Sequence, residues 1–192
     1  MRAQAFNDGV AVALGRKCKD DDEPGEGITG YGSNSKAIEA LRSGDIDVLG
    51  GTAWLWASDE ATASIDVLFV DEAGQMSLAN VLAVSQATDS LVLLGDPQQL
   101  EQPQKGSHPD GVDVSALQHV IGGAQTMPPE RGIFLPETWR LAPTICQFTS
   151  EVFYEGKLTE RPELSHQRLT GVAPFEGAGL WLVPVEHTGN QN

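Results

Sequence analysis

The chain is short of cysteine, of basic residues and of long apolar runs, and each shortage excludes something. Its two cysteines, Cys18 and Cys146, stand far apart, with no Cys-x-x-Cys and no Cys/His cluster. That argues against a disulfide framework or a structural zinc site and suits a reducing cytoplasm. Nothing approaches the roughly 18 consecutive apolar residues of a membrane span. The N-terminal MRAQAFNDGV lacks the apolar core of a signal peptide, so no membrane partner is expected. Four scattered histidines (His108, His119, His166, His187) point to no metal. Lys and Arg number 12 against 27 Asp and Glu, giving a net charge of -15. Nucleic-acid binding by the whole surface is disfavoured, because it normally needs a basic footprint.

What is present suits a globular core. The chain has 192 residues, 40% of them hydrophobic, enough for one domain or one plus part of a second. KDDDEPGEG (19–27) carries much of the negative charge and reads as a solvated loop rather than a metal site. The apolar runs at 9–14, 46–56, 64–72, 89–96 and 178–186 read as strands. Helical spacing marks 35–45, ending near Gly44, then 77–88, 114–121 and 142–154, the last with Pro143 near its start. The stretches 19–35, 101–113 and 156–176 read as loops. Strands alternating with helices, each strand nearly all apolar, predict an α/β fold: a parallel sheet covered on both faces. Ligands of such sheets sit at the carboxyl ends of the strands. Gly50-Gly51-Thr52, Asp71-Glu72 and Gly95-Asp96 are expected to converge there on one crevice.

VLFVDEAGQ (67–75) carries the chemistry. An apolar strand runs straight into two carboxylates, and a buried bare carboxylate is costly without a partner. A cation or a proton to be taken is the expectation. Such a pair suits nucleoside triphosphate hydrolysis, with Asp71 holding Mg²⁺ through its water shell and Glu72 orienting and deprotonating the attacking water. The simpler reading is that Asp71 caps the following turn. LVLLGDPQQL (91–100) is a second strand ending in polar groups. Gln99 is uncharged and long enough to reach a γ-phosphate, although alone it would read as a turn residue.

Taken with ETWRLAPTICQFTSEVFYEGKL (137–158), Asp71 to Gln75 and Gly95 to Leu100 resemble motifs II, III and IV of superfamily 1 helicases. The branch is 1B, which includes the nonsense-mediated-decay and Okazaki-fragment helicases. RGIFLPETWRLAP and FTSEVFYEGKL are similar to the helicase part of bacterial proteins that join a RecB-like nuclease domain to such a helicase. The resemblance covers about residues 46 to 169. It implies a RecA-like P-loop NTPase fold, Mg²⁺ on Asp71, Glu72 as catalytic base, Gln99 as γ-phosphate sensor and Gln75 beside the nucleotide. It further implies that Arg140 reaches the γ-phosphate from a second domain, which suits a planar, always-charged donor. GGTAW (50–54) falls where these helicases have motif Ic, making Gly51 and Thr52 candidates for a single-strand phosphate contact. Trp54 and Trp56 are expected in the core rather than against bases.

Three family elements are missing. No G-x-x-x-x-G-K-[ST] occurs, and GEGITGYGSNSK (25–36) has the wrong spacing and no apolar strand before it, so it reads as a loop. Motifs V and VI are also missing. The chain therefore resembles the middle of a helicase, an incomplete RecA-like fold. Residues 1–135 would be the later part of one RecA-like domain and 136–192 the start of another. The implied ligands are ATP and Mg²⁺. The implied partners are single-stranded DNA, with RNA the alternative, and the missing helicase segments with or without a nuclease domain in the same full-length chain. Two other readings stay open. One is a catalytically inactive helicase-like binding or regulatory module. The other is an unrelated Mg²⁺-dependent phosphatase or nuclease, for which Asp96 is the only obvious additional acid.

Overall fold

The structure, a computed structural model, describes residues 9–19, 22–99, 114–171, 173, 175–186 and 189. The polar loop expected at 101–113 lies outside them, as do Leu100 and part of the acidic 19–27 run. The chain divides into two compact units, Met1–Val120 and Ile121–Asn192. Residues 121–135 thus fall in the second unit.

The first unit is mixed α/β with short parallel strands. β1 (Leu14–Lys17) lies between β2 (Ile28–Tyr31) and β3 (Val48–Gly50), parallel to both. β4 (Leu68–Val70) and β5 (Leu91–Leu93) form a separate parallel pair. Helix α1 (Asn34–Ser43) begins where Ser33 accepts the Lys36 N–H and ends where Gly44 takes a left-handed conformation, φ 78°. Both ends follow local rules: a hydroxyl cap for the free N–H groups and a glycine for the reversal. α2 (Ala53–Trp56) and α3 (Leu78–Ser85) pack on each other, and Ser77 caps α3 through the Asn80 N–H. α4 (Ala116–Ile121) is capped by Ser115, whose hydroxyl accepts the Gln118 N–H.

Several expectations need correction. The strand expected at 9–14 lies at 14–17. Its paired stretch starts where Leu14 meets Ile28 on one side and Val48 on the other, so a central place in the ladder outweighs the polarity of Arg16 and Lys17. β2 forms inside the stretch read as a Gly-rich loop. The other strands are shorter than their apolar runs. The strands are also not covered on both faces: in β4, Leu68 and Val70 are buried while Phe69 between them is 63% exposed. β1 and β3 likewise bury only one residue each. Leu82 of α3 and Leu94 after β5 are exposed as well. The core therefore lies on one side of each short sheet, built from Ile38, Leu49, Leu55, Leu68, Val81 and Val84.

In the second unit, β6 (Glu137–Thr138) pairs in parallel with β7 (Thr159–Glu160), and α5 (Pro143–Phe153) packs against β7. Pro143 sits in the first turn, where its missing N–H costs nothing. Cys146 is buried in α5; burial pushes its thiol up, and the Glu160 carboxylate adds to the shift. Cys18 and Cys146 are both free thiols. The strand expected at 178–186 does not form. An apolar run supplies propensity, but a strand needs a neighbour for its N–H and C=O groups, and Leu180, Leu182 and Val185 lie exposed. Among the described residues, no helix is long and apolar enough to cross a membrane.

A polar clasp closes the turn after α5. The buried Thr126 hydroxyl donates to Glu155, and Lys157 Nζ reaches Thr126 Oγ1 at 2.8 Å and Glu155 Oε2 at 2.6 Å. Glu155 stands at φ 56°, a conformation non-glycine residues rarely take. The hydrogen bond from Lys157 holds the Glu155 carboxyl below its ordinary value, with Thr126 second. A depressed carboxyl stabilises the fold above its unfolded pKa, and that contribution is lost as pH falls through the folded value. In Lys157→Met, the Glu155 carboxyl resonance, followed by NMR, should titrate at higher pH than in the parent chain; an unchanged midpoint would show the clasp absent in solution.

Candidate functional site

The ends of β4 and β5 meet because their backbones touch. Val70 O accepts the Leu94 N–H at 2.8 Å, and Leu94 O accepts the Ala73 N–H at 2.8 Å. A Cβ on Gly74 would overlap the Asp96 carbonyl oxygen. Gly95 stands at φ 154°, and a Cβ there would lie 2.9 Å from the amide nitrogens of Ala73 and Gly74. Only glycine fits either place. This contact sets the acids after β4 beside the glutamines after β5.

A line of hydrogen bonds crosses the junction. Gln75 Nε2 donates to Glu72 Oε2 at 3.4 Å and to Gln99 Oε1 at 3.5 Å. Gln99 Nε2 in turn donates to Asp96 Oδ2 at 3.4 Å. These bonds are long and individually weak, but they tie four side chains from two strand ends into one row. Asp96 is fixed further by the Gln98 N–H on its Oδ1, at 3.0 Å. Asp71 Oδ1 accepts the Glu72 N–H at 3.0 Å, and Glu72 O accepts the Gln75 N–H at 2.8 Å, closing a turn. Glu72 has φ 56°.

Of the residues singled out in the sequence, Asp71, Glu72, Gln75 and Gln99 come together. Asp71 and Glu72 are exposed at the end of a half-buried strand, so the desolvation argument for a cation does not apply. Asp71 also plays the turn-capping part of the simpler reading. Among the described residues, no three His, Cys, Asp or Glu side chains cluster to hold a metal. Mg²⁺ does not need such a cage, because it keeps several waters and takes one or two carboxylates plus phosphate oxygens. Asp71 as a single exposed carboxylate suits that role. The two-metal reading, which needs a cluster of acids, finds none there among the described residues.

Gly51 and Thr52 close β3 and open α2. Thr52 occupies the N-cap position, but its side chain makes no capping bond. β3 is hydrogen-bonded to β1, not to β4 or β5, so the three strand ends do not share one ladder. Trp56 is buried as expected, whereas Trp54 is 86% exposed and is not core. The first turn of a helix only four residues long turns the two indoles to opposite sides. Arg140 is exposed in the second unit, two residues after the end of β6.

The sequence set Gly95-Asp96 at the same edge as Asp71-Glu72, and these two strand ends do meet; what it did not show is that Gly74 and Gly95 pack against the facing backbone and that Asp96 accepts from Gln99. Glycines at strand ends are common, and nothing local shows that two of them face each other. No protein-family model and no curated protein matches the chain.

Proposed function

We propose that the chain is a segment of an ATP-dependent superfamily 1B helicase, with an incomplete RecA-like fold in each of residues 1–135 and 136–192. The row Glu72–Gln75–Gln99–Asp96 across the β4 and β5 ends carries this reading. It sets a carboxylate able to take a proton beside an uncharged amide able to report a phosphate, at the sheet edge where parallel folds bind ligands. In the whole protein, Mg²⁺ on Asp71 would neutralise phosphate charge. Glu72 would orient a water and accept its proton, Gln75 would position the Glu72 carboxylate, and Gln99 would hydrogen-bond the terminal phosphate. Arg140 would stabilise the charge on that phosphate. The partner is single-stranded DNA, with RNA the alternative, and the setting is cytoplasmic. The test is ATP hydrolysis by the full-length protein containing this segment, with and without single-stranded DNA. Stimulation by the strand supports the reading. ATP binding with no hydrolysis would put the inactive binding module in its place.

Exposed Trp54, two residues after Thr52, supplies a flat apolar surface of the kind on which bases stack. Stacking on an aromatic side chain contributes about 1–3 kcal/mol per base. Trp54→Ala in the full-length protein should weaken single-strand binding by about 5- to 150-fold in a fluorescence anisotropy titration. Thr52→Ala removes a neutral phosphate contact and should cost less. Unchanged affinity in Trp54→Ala would remove this surface from the strand path.

A further inference from the structure

The second unit contains a cavity of about 300 Å³ that the hydrolysis site does not account for. Its walls include Arg140, Arg168, Leu141, Ile145, Leu169 and Trp181, and no carboxylate among the described residues lines it. In a chain with 27 acids and 12 basic residues, two arginines in one acid-free cavity are a concentration of positive charge. Neither is ion-paired with a carboxylate among the described residues. Ala142 and Ile145 place the first turn of α5 in the same wall.

Three ties build the cavity. Leu169 and Gly177 exchange both backbone hydrogen bonds, at 2.8 and 3.0 Å, which fixes the segment bearing Arg168. Thr144 Oγ1 donates to Ala178 O at 3.2 Å, joining that segment to α5. Phe175 packs edge-on against Trp181, 6.4 Å between ring centres at 70°, and so restrains the indole. The result is a small, mostly apolar pocket with two charged donors. Its volume is at the low end for ligand sites, room for one small organic molecule. Guanidinium groups match phosphate oxygens in pairs, and an indole matches a flat ring.

We propose that this cavity binds a phosphate monoester bearing a flat aromatic group, of nucleoside monophosphate size, with Arg140 and Arg168 on the phosphate and Trp181 on the ring. Such a group comes either as a free nucleotide or as the phosphorylated end of a strand. The inference does not rest on ATP hydrolysis at Glu72 and shares only Arg140 with it. Hydrolysis is tested at Glu72 and this cavity at Arg168, so each can fail alone.

The test is calorimetric titration of the 192-residue chain with AMP, adenosine and a 5′-phosphorylated oligonucleotide, with Trp fluorescence recorded in parallel. AMP should bind saturably, adenosine at least about tenfold more weakly, and the fluorescence change should vanish in Trp181→Phe. Arg168→Gln should weaken AMP by about tenfold or more, and Arg168→Lys should recover part of that, since lysine keeps the charge but not the paired donors. Circular dichroism checks that each variant is folded. Tighter binding of the phosphorylated oligonucleotide than of its 5′-hydroxyl counterpart assigns the ligand to a strand end; AMP binding without that difference assigns it to a free nucleotide. No AMP binding up to about 10 mM, equal binding of adenosine, or an unchanged affinity in folded Arg168→Gln overturns the proposal.

Discussion

Gly74→Ala is expected to destabilise the first unit by about 3 kcal/mol, the upper part of the range for added methyl groups in packed sites. Gly74 is buried, and an added Cβ would meet the carbonyl oxygen and carbonyl carbon of Asp96 and the nitrogen of Pro97. All three are backbone atoms, so no side chain can swing away. Relief requires the β4 and β5 ends to part, which would break the Ala73–Leu94 hydrogen bond. Gly95→Ala should act in the same direction for two reasons, its φ of 154° and the two amide nitrogens at 2.9 Å. A thermal melt should show a drop of roughly 10 °C for either variant. Gly123→Ala is the control, since a Cβ there meets nothing within 4 Å, and surface changes of this kind stay within about 0.5 kcal/mol. If Gly74→Ala melted together with Gly123→Ala, the two strand ends would not be in contact in solution. The row of side chains across them would then lose its support.

The sequence carried the helices further than the sheet, for a physical reason. Helix ends are decided by residues within one turn: Ser33 and Gly44 bound α1, Ser77 starts α3 and Pro143 starts α5. Strand limits are decided by a neighbour distant in the chain. The apolar run at 9–14 therefore did not mark β1, ITGY inside a Gly-rich stretch became β2, and the apolar run at 178–186 found no ladder to join. Continuous apolarity in VLFV suggested burial on both faces, yet Phe69 faces outward. At the site, residue types singled out Asp71 and Glu72, whereas Gln75 and Gln99 stood out only through the family resemblance. The paired glycines that hold them together were not legible, because their requirement comes from each other's backbone. Trp54 and Trp56 show the same limit: two identical side chains, two residues apart, and only packing decides which one is inside.

The other large effect is expected from Glu72→Gln in the full-length protein. A positioned general base contributes about 10²- to 10⁴-fold to a rate, so kcat for ATP hydrolysis should fall by that factor. Glutamine has nearly the same shape as glutamate and keeps a carbonyl oxygen to accept the bond from Gln75 Nε2. It keeps the same backbone demand at φ 56° and removes only the ability to take a proton. Binding of ATP should therefore stay within a few-fold of the parent, since Asp71, Gln99 and Arg140 are untouched. Gln75→Ala makes the complementary change. The carboxylate remains, but its link to Gln99 is cut, so loss of a weak positioning bond should slow hydrolysis by about tenfold or less. The left-handed backbone at Glu72 also fits a residue held in place for a task, although Ala63 and Glu155 share that conformation, so the strain supports the assignment only together with the side-chain row. Equal losses in binding and hydrolysis in Glu72→Gln would make the residue a ligand contact rather than a base. Unchanged hydrolysis would move the chemistry away from β4 altogether and leave the row at its end as part of a binding module.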